Sequence, residues 1–316
     1  MNIIKFEKII KNKRVITLLT TSGYNNIGQE ATTTSIIKEI KRINPQIIIL
    51  ANSNKPKKTR LLNKNIKKVF FFKTFVSPII LFIPKTIIFG GDEITSSDYD
   101  KYYNNFFQYF QGKFRIIFTY ISSFLNKDII LYKIGIYNQQ KNFPVFMLKR
   151  VINKSKMIIA RDKYSKNYLE RLTKRKVLLS KDAVYSLKSK VNRIKRGKVG
   201  LILKRTDNEL IEKKIISIIN TEKRKGKVFF IIFSNHYNGY ENDFKYTLEL
   251  IKKMKLKDYE IIKEKDYKKM FIKMNEFKKI FSMRYHGCIF SEILGINFIA
   301  IPTNKKIKVN FKDKLN

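Results

Sequence analysis

Short apolar runs recur along the chain and alternate with stretches whose apolar residues fall at helical spacing. Arg14–Thr20 (RVITLLT) reads as a buried strand, followed by a Gly/Asn loop and then a helix carrying Ile36, Ile37, Ile40 and Ile43 on one face. Pro45 closes that helix, and Gln46–Leu50 (QIIIL) is the next strand. Lys85–Gly90 (KTIIFG), Ile129–Ile136 (IILYKIGI) and Met157–Ala160 (MIIA) continue the series. Strands that are apolar throughout, separated by helices, predict a parallel sheet covered on both faces. Ser186–Lys198, rich in Lys, Arg and Ser, reads as a linker, after which the pattern restarts. Lys198–Leu203, Lys227–Phe233, Tyr259–Ile262 and Asn297–Ile301 are strands, and Asn208–Asn220, Asp243–Met254 and Cys288–Leu294 are helices. Two such series predict an α/β protein of two Rossmann-like domains, 1–185 and 186–316, facing a cleft in a GT-B-like arrangement. Ligands of such sheets sit at the carboxyl ends of the strands.

Composition changes this picture little. Hydrophobic residues make up 44% of 316 residues, enough to bury a core. Charge changes it more: 67 basic residues against 25 acidic leave a formal charge of +42. Of the basic residues 54 are lysine, scattered through an Ile- and Asn-rich chain, a bias expected of an AT-rich genome. That scatter argues against a nucleic-acid footprint, which calls for a contiguous stripe. A field of this sign still draws anionic substrates and anionic lipid headgroups. Cys288 is the only cysteine, which excludes an intrachain disulfide and a thiolate zinc cage and suits a reducing compartment. Met1–Lys13 is amphipathic and lacks the apolar core of a signal peptide. Val76–Pro84 is about half the ~20 residues a spanning helix needs. The expected location is the cytoplasm, with peripheral contact to an anionic membrane surface.

Five places carry candidate chemistry. Gly23–Ala31 (GYNNIGQEA) lies between a strand and a helix, where glycines admit close backbone approach and the helix offers free N–H groups; a tight βα turn explains it equally. Gly90-Gly91-Asp92-Glu93 follows a strand, with carboxylates that could serve as acid or base or simply be solvated in a turn. Arg161-Asp162 ends a short strand, and its guanidinium suits a carboxylate or phosphate unless it forms a surface pair with Asp162. Lys204-Arg205 follows the KVGLIL strand. The sharpest is Met283-Arg284-Tyr285-His286-Gly287, placed before an apolar helix. One of the chain's two histidines stands there beside an arginine and a helix N-terminus, an arrangement suited to an anion and a proton transfer. The second histidine, His236, reads as a loop residue, Cys288 as a buried one, and Tyr99–Phe110 as core or a greasy face.

In this order the pieces resemble the polysaccharide pyruvyl transferase family. Asn26-Ile27-Gly28-Gln29-Glu30-Ala31 matches its early loop, Gly90-Gly91-Asp92 its glycine-rich strand end, and Arg161-Asp162 with Ser165 and Leu169 its Arg-Asp before a helix. Asp182 matches a later Asp, and Lys204 stands at the end of the strand that leads into a basic residue. Met283-Arg284-Tyr285-His286, then Ile289 and Gly295, match its most specific block, and Lys306 a following Lys. Gln29 replaces an acidic residue, Asp92 a third glycine, Lys204 an arginine and Asn297 a proline.

The resemblance implies transfer of a pyruvyl group from phosphoenolpyruvate to two hydroxyls of a sugar, on a cell-surface polysaccharide or its lipid-linked precursor. A cyclic ketal forms, phosphate leaves, and neither metal nor cofactor is called for. Arg284 and Arg161 are then the anchors for carboxylate and phosphate, and His286 the general acid. Asn26, Gly28, Gly90, Gly91, Asp92, Lys204, Gly287 and Lys306 are the substrate-binding set, with Asn26, Gly28 and Gly90–Asp92 on the acceptor side. Asp92 or Glu93 is a candidate for the hydroxyl proton. Three alternatives stay open: a sugar-nucleotide glycosyltransferase of the same shape, a polyanion-binding protein and a non-catalytic relative.

Overall fold

The structure is a computed structural model that describes residues 2–73, 82–91, 93–94, 106–137, 145–187, 197–235 and 242–315. Most of the linker expected at Ser186–Lys198, most of the Tyr99–Phe110 cluster, most of Val76–Pro84, and Asp92 and His236 lie outside the described residues. The chain divides into two compact units: Met1–Tyr24 with Gln29–Ser186, and Leu187–Asn316 with the short segment Asn25–Gly28.

The first unit is built on a seven-stranded parallel sheet. Its strands are β1 (Val15–Leu19), β2 (Ile48–Ser53), β3 (Val69–Lys73), β4 (Thr86–Gly90), β5 (Asp128–Ile134), β6 (Ser155–Ala160) and β7 (Leu178–Leu179). The order is β3-β2-β1-β4-β5-β6-β7, so the chain reverses its direction of travel between β1 and β4. Helices α1 (Asn2–Lys11), α2 (Ile27–Ile43), α3 (Pro56–Leu62), α4 (Phe106–Ser122), α5 (Val145–Lys154) and α6 (Lys163–Thr173) complete the described elements. Alternation along β5 shows why its run is apolar throughout. Ile130 and Tyr132 join the core cluster under α1 and α2, while Ile129 and Leu131 join the one under α5. The amphipathic N-terminus is α1, docked through the buried Phe6 and Ile10, with Phe6 stacked on Tyr132 at 4.3 Å between centroids.

The second unit repeats the plan with five parallel strands: β8 (Lys198–Ile202), β9 (Val228–Ile232), β10 (Tyr259–Lys263), β11 (Phe277–Ser282) and β12 (Asn297–Ala300). Their order is β10-β9-β8-β11-β12, with the reversal between β8 and β11. Its helices are α7 (Glu209–Lys223), α8 (Asp243–Lys253), α9 (Tyr267–Met274), α10 (Tyr285–Ile293) and α11 (Lys305–Asn310). One face packs Leu201, Phe230, Phe281 and Met283 against Ile215, Ile219 and Leu250. Beneath α10, Phe290 meets Phe233 and Phe271 edge to face at 5.1 and 4.5 Å. The α/β class and two Rossmann-like sheets are as the alternation of apolar runs predicts. β3, β7 and β11 are additional strands, and the second strand starts at Ile48 rather than at Gln46.

The loop after β1 is fastened inside the first unit. Thr20 N–H donates to Asn52 Oδ1 at 2.7 Å, and the Ser22 hydroxyl to the Asn52 carbonyl at 2.9 Å. Gly23, at φ +87°, donates its N–H to Glu30 Oε1 at 2.6 Å. Glu30 is buried and its second oxygen has no hydrogen-bond partner among the described residues. Burial pushes its pKa up to about 7 against the Gly23 hydrogen bond and the Lys58 charge, which both lower it.

Two outcomes follow from this packing. Phe6→Ala should destabilise the protein by about 3–5 kcal/mol, read by chemical denaturation, because the cavity opens between α1 and the sheet. A carboxyl whose folded pKa lies above its unfolded value loses stability as pH rises from the ordinary carboxylate range, and the loss is complete above about 7. Glu30→Gln keeps the acceptor for Gly23 and removes that charge. It should therefore stabilise by up to about 3 kcal/mol at about pH 8.5 and have little effect near pH 4.5, compared by denaturation at both pH values.

Candidate functional site

The junction between β11 and α10 lies at the carboxyl end of the second sheet, beside the switch between β8 and β11. Backbone hydrogen bonds hold it from both neighbours: Met283 N–H donates to Ile202 O and Ile301 N–H to Ser282 O, each at 2.8 Å. The Ser282 hydroxyl turns the chain by donating to the Arg284 carbonyl at 2.9 Å and accepting from the Arg284 N–H at 3.2 Å. Arg284 is the residue before the helix, in extended conformation, and His286 lies in the first turn. Gly287 lets this turn settle on the sheet, since a Cβ there would fall 2.4 Å from Ser282 Oγ and 2.8 Å from Ile202 Cδ1.

Arg284 does not point out as a lone cation. Its Nε lies 3.2 Å from both carboxylate oxygens of Asp243, and its terminal Nη2 also donates to Asp243 Oδ1. Asp243 opens α8, is fully buried, and accepts the Ser234 N–H at 2.8 Å from the end of β9. One carboxylate thus joins three elements and fixes the plane of the guanidinium. Sequence reasoning missed Asp243, because an aspartate at a helix start is ordinary capping and dipole chemistry.

Asn25–Gly28 packs on the same unit as this junction. Asn26 pairs antiparallel with Ser234, Ile27 N–H donates to Phe233 O at 2.9 Å, and Asn235 N–H to Asn25 O at 3.1 Å. The Asn26 side chain caps the start of α2 by accepting the Gly28 N–H at 3.0 Å. This register lays Gly28 on His286: a Cβ at position 28 would lie 2.3 Å from Nδ1 and 2.4 Å from Cγ of the imidazole. Glycine is required there by contact with the ring, which goes beyond turn chemistry. Asn26 and Gly28, expected on the acceptor side, thus lie in the second unit, with Gly28 against His286.

Two lysines complete the surroundings. Lys204 follows β8, is buried, and its N–H faces the Met283 sulfur at 3.4 Å. Lys306, in α11, puts its ammonium 4.4 Å from the centre of the Tyr285 ring, which meets the His286 ring edge to face at 5.4 Å. Arg284, His286 and Gly28 are therefore neighbours, Lys306 is one ring away, and the Lys204 backbone meets Met283. Arg205 pairs with Glu249 and lies over Tyr246. Cys288 is buried and its thiol is pushed up to about 12 by burial. Among the described residues no group of His, Cys, Asp and Glu could hold a metal ion.

The first-unit candidates are held by contacts of their own. Arg161 Nη1 pairs with Asp182 at 3.1 Å, both side chains 0% exposed, and its Nε donates to the Tyr137 hydroxyl at 3.1 Å. Burial pushes the Tyr137 hydroxyl well above its ordinary range, so it stays protonated and donates to Asp162. Asp162 in turn caps α6 by accepting the Ser165 N–H at 2.8 Å. Arg161 is thus a buried strut between β6 and the Asp182 segment, which corrects both the surface pair with Asp162 and the open anion fork. Gly90 and Gly91 bring β4 close to α2: a Cβ on Gly91, at φ +71°, would fall 2.3 Å from Thr32 Cγ2, and one on Gly90 2.9 Å from Ile36 Cδ1. Glu93 forms a parallel bridge with Gly135.

Comparison with known proteins agrees with this layout. The family model for polysaccharide pyruvyl transferase matches residues 26–305. No curated protein sequence matches significantly. Among solved structures, UDP-GlcNAc 2-epimerase from Methanocaldococcus jannaschii is 15% identical with a TM-score of 0.63, over 96% of this chain and 88% of that one. The enzyme from Neisseria meningitidis bound to UDP-GlcNAc is 13% identical at 0.60, over 92% and 83%. The UDP-N-acetylglucosamine 2-epimerase from Rickettsia bellii is 14% identical at 0.54, over 96% and 83%. At these identities the likeness is one of fold, and that fold is GT-B-like. The family match covers every strand but β1 and the whole Arg284–His286 junction, and the chain belongs to the polysaccharide pyruvyl transferase family.

Proposed function

We propose that this protein transfers a pyruvyl group from phosphoenolpyruvate to two hydroxyls of a saccharide, a cell-surface polysaccharide or its lipid-linked precursor, with release of phosphate. The observation that carries this reading is the imidazole of His286 lying under the Gly28 backbone, beside an Arg284 whose plane Asp243 holds.

The donor is a small trianion with a carboxylate and a phosphate on one enol carbon. Arg284 offers an oriented guanidinium, and Lys204 and Lys306 take the second anchoring role that Arg161 is too buried to fill. The first turn of α10 adds backbone N–H groups and a positive dipole. His286 delivers a proton to the methylene carbon, converting the enol carbon to an oxocarbenium-like centre. A sugar hydroxyl then adds there and gives up its proton. Phosphate leaves with the C–O electron pair, and the second hydroxyl closes the ketal with loss of the second proton. The methylene ends as a methyl group, the phosphate leaves protonated, and no electrons are exchanged with another reactant. Fixed cations and dipoles face the charges throughout, which is where such sites gain most of their rate.

The test is phosphate release from phosphoenolpyruvate with a panel of free and lipid-linked hexose acceptors. Wild-type protein should release phosphate only with an acceptor. His286→Ala should lose at least about 100-fold in kcat, the loss expected for a positioned general acid. Gly28→Ala should also lower kcat while phosphoenolpyruvate still protects the protein in thermal shift, because the new methyl displaces the ring. Turnover that survives His286→Ala, or stabilisation by UDP-sugars without any by phosphoenolpyruvate, overturns the proposal.

A further inference from the structure

The first unit carries an apolar patch that takes no part in the chemistry above. It is formed by the end of α4, the turn that follows, and the start of α5. Phe124 and Phe146 are 56% and 61% exposed, and Ile121, Leu125 and Val145 are exposed beside them. They form one surface because Tyr120 meets Phe124 and Phe146 edge to face at 5.1 and 5.8 Å. Lys127 reaches the carbonyls of Phe82 and Pro84, which brings the exposed Ile83 to the same turn. Large side chains clustered in water mark an interaction surface, whereas single ones do not.

The charge around this patch says what it meets. Phe146, Lys149 and Arg150 share the outer face of α5, opposite the buried Leu148, Val151 and Ile152. Arg150 lies 3.5 Å over the Phe124 ring and donates to Ser123 Oγ at 2.9 Å, so a cation is held directly against the aromatic surface. Residues 106–156 contain nine basic residues and a single acidic one, Asp128. Asp128 is buried between Lys13 and Lys156, at 2.8 and 2.7 Å, and so presents no carboxylate to the patch. An apolar partner alone would not call for this rim, and a polyanion alone would not call for exposed phenylalanines. Aromatic side chains that enter the acyl boundary, ringed by lysine and arginine at headgroup level, match an anionic bilayer surface.

We propose that Ile121, Phe124, Leu125 and Phe146, with Lys149 and Arg150, form a surface that docks the protein on membranes of anionic lipid. The patch is independent of the transfer reaction, and the test reads no turnover. Purified full-length protein is sedimented with vesicles of phosphatidylcholine alone or mixed with phosphatidylglycerol. The protein should sediment with the mixed vesicles at low salt, hardly at all with phosphatidylcholine, and less at about 0.5 M salt, where charges are screened within a few ångströms. The double variant Phe124→Ser/Phe146→Ser should partition at least about tenfold less, and Lys149→Glu should weaken binding at low salt only. Leu210→Ser removes an equally exposed leucine from the second unit and should change nothing. All these positions are exposed, so circular dichroism should be unchanged; Lys149→Glu keeps the test decisive if the double variant does not fold. Failure to bind mixed vesicles overturns the proposal. So does binding that the double variant retains in full, which would mean diffuse charge alone. A concentration-dependent dimer that the double variant abolishes, without vesicle binding, assigns the patch to a second copy instead.

Discussion

The carboxylate of Asp243 is the contact on which the candidate site depends. It is fully buried, and a buried charge persists only when paired and hydrogen-bonded. Its partners come from separate elements: the Ser234 N–H at the end of β9, and the Arg284 guanidinium between β11 and α10. The same strand end that Asp243 fixes is the one with which Asn25–Gly28 pairs. Through that pairing Gly28 comes to rest on His286. Asp243 therefore sets both the plane of the arginine and, one step removed, the ceiling over the histidine.

Such a junction explains why the two halves of a glycine-rich loop have different duties. Gly23 faces inward to the first sheet and binds Glu30, while Gly28 belongs with the second unit. The six residues Gly23–Gly28 thus pass from one packing environment to another, and each end is constrained by a different contact. The glycines are spaced by that passage, which is why the loop fits neither a dinucleotide fingerprint nor a phosphate-binding loop.

Most of the architecture was legible because parallel strands buried on both faces write themselves as apolar runs. The strands that were not legible each have a physical reason. β11 reads FKKIFS, and its two lysines break the run. A register shift between Phe277 and Lys279 lets Lys278 stay exposed, and Lys279 lays its ammonium 4.7 Å from the Phe281 ring. β7 is two residues at a sheet edge. β2 starts late because the Asn44 side chain binds the Lys11 and Lys13 carbonyls and the Gln46 N–H, which keeps the chain turning until Ile48. For the candidate site, the signal in the sequence is a histidine beside an arginine at a strand end. The carboxylates that decide what each arginine does could not be found that way. Asp182 lies 21 residues from Arg161 and Asp243 lies 41 from Arg284, separations that only the fold closes.

Those two pairs point to a wider division of labour between the basic side chains. With 54 lysines among 67 basic residues, lysine is the default cation of this chain. Arginine stands where a flat, multiply donating group is needed. Arg161 is buried against Asp182 and Tyr137. Arg150 lies flat on Phe124 while donating to Ser123. Arg284 grips both oxygens of Asp243. A lysine at any of these places would offer a point charge with no plane, and it would lose the second donor or the stacked face. Lysine suffices where only a field is wanted, as at Lys149 on the apolar patch or Lys306 over Tyr285. The net charge of +42 is therefore two populations: a diffuse lysine field, which draws anions to the surface, and a few arginines whose geometry determines where structure is held.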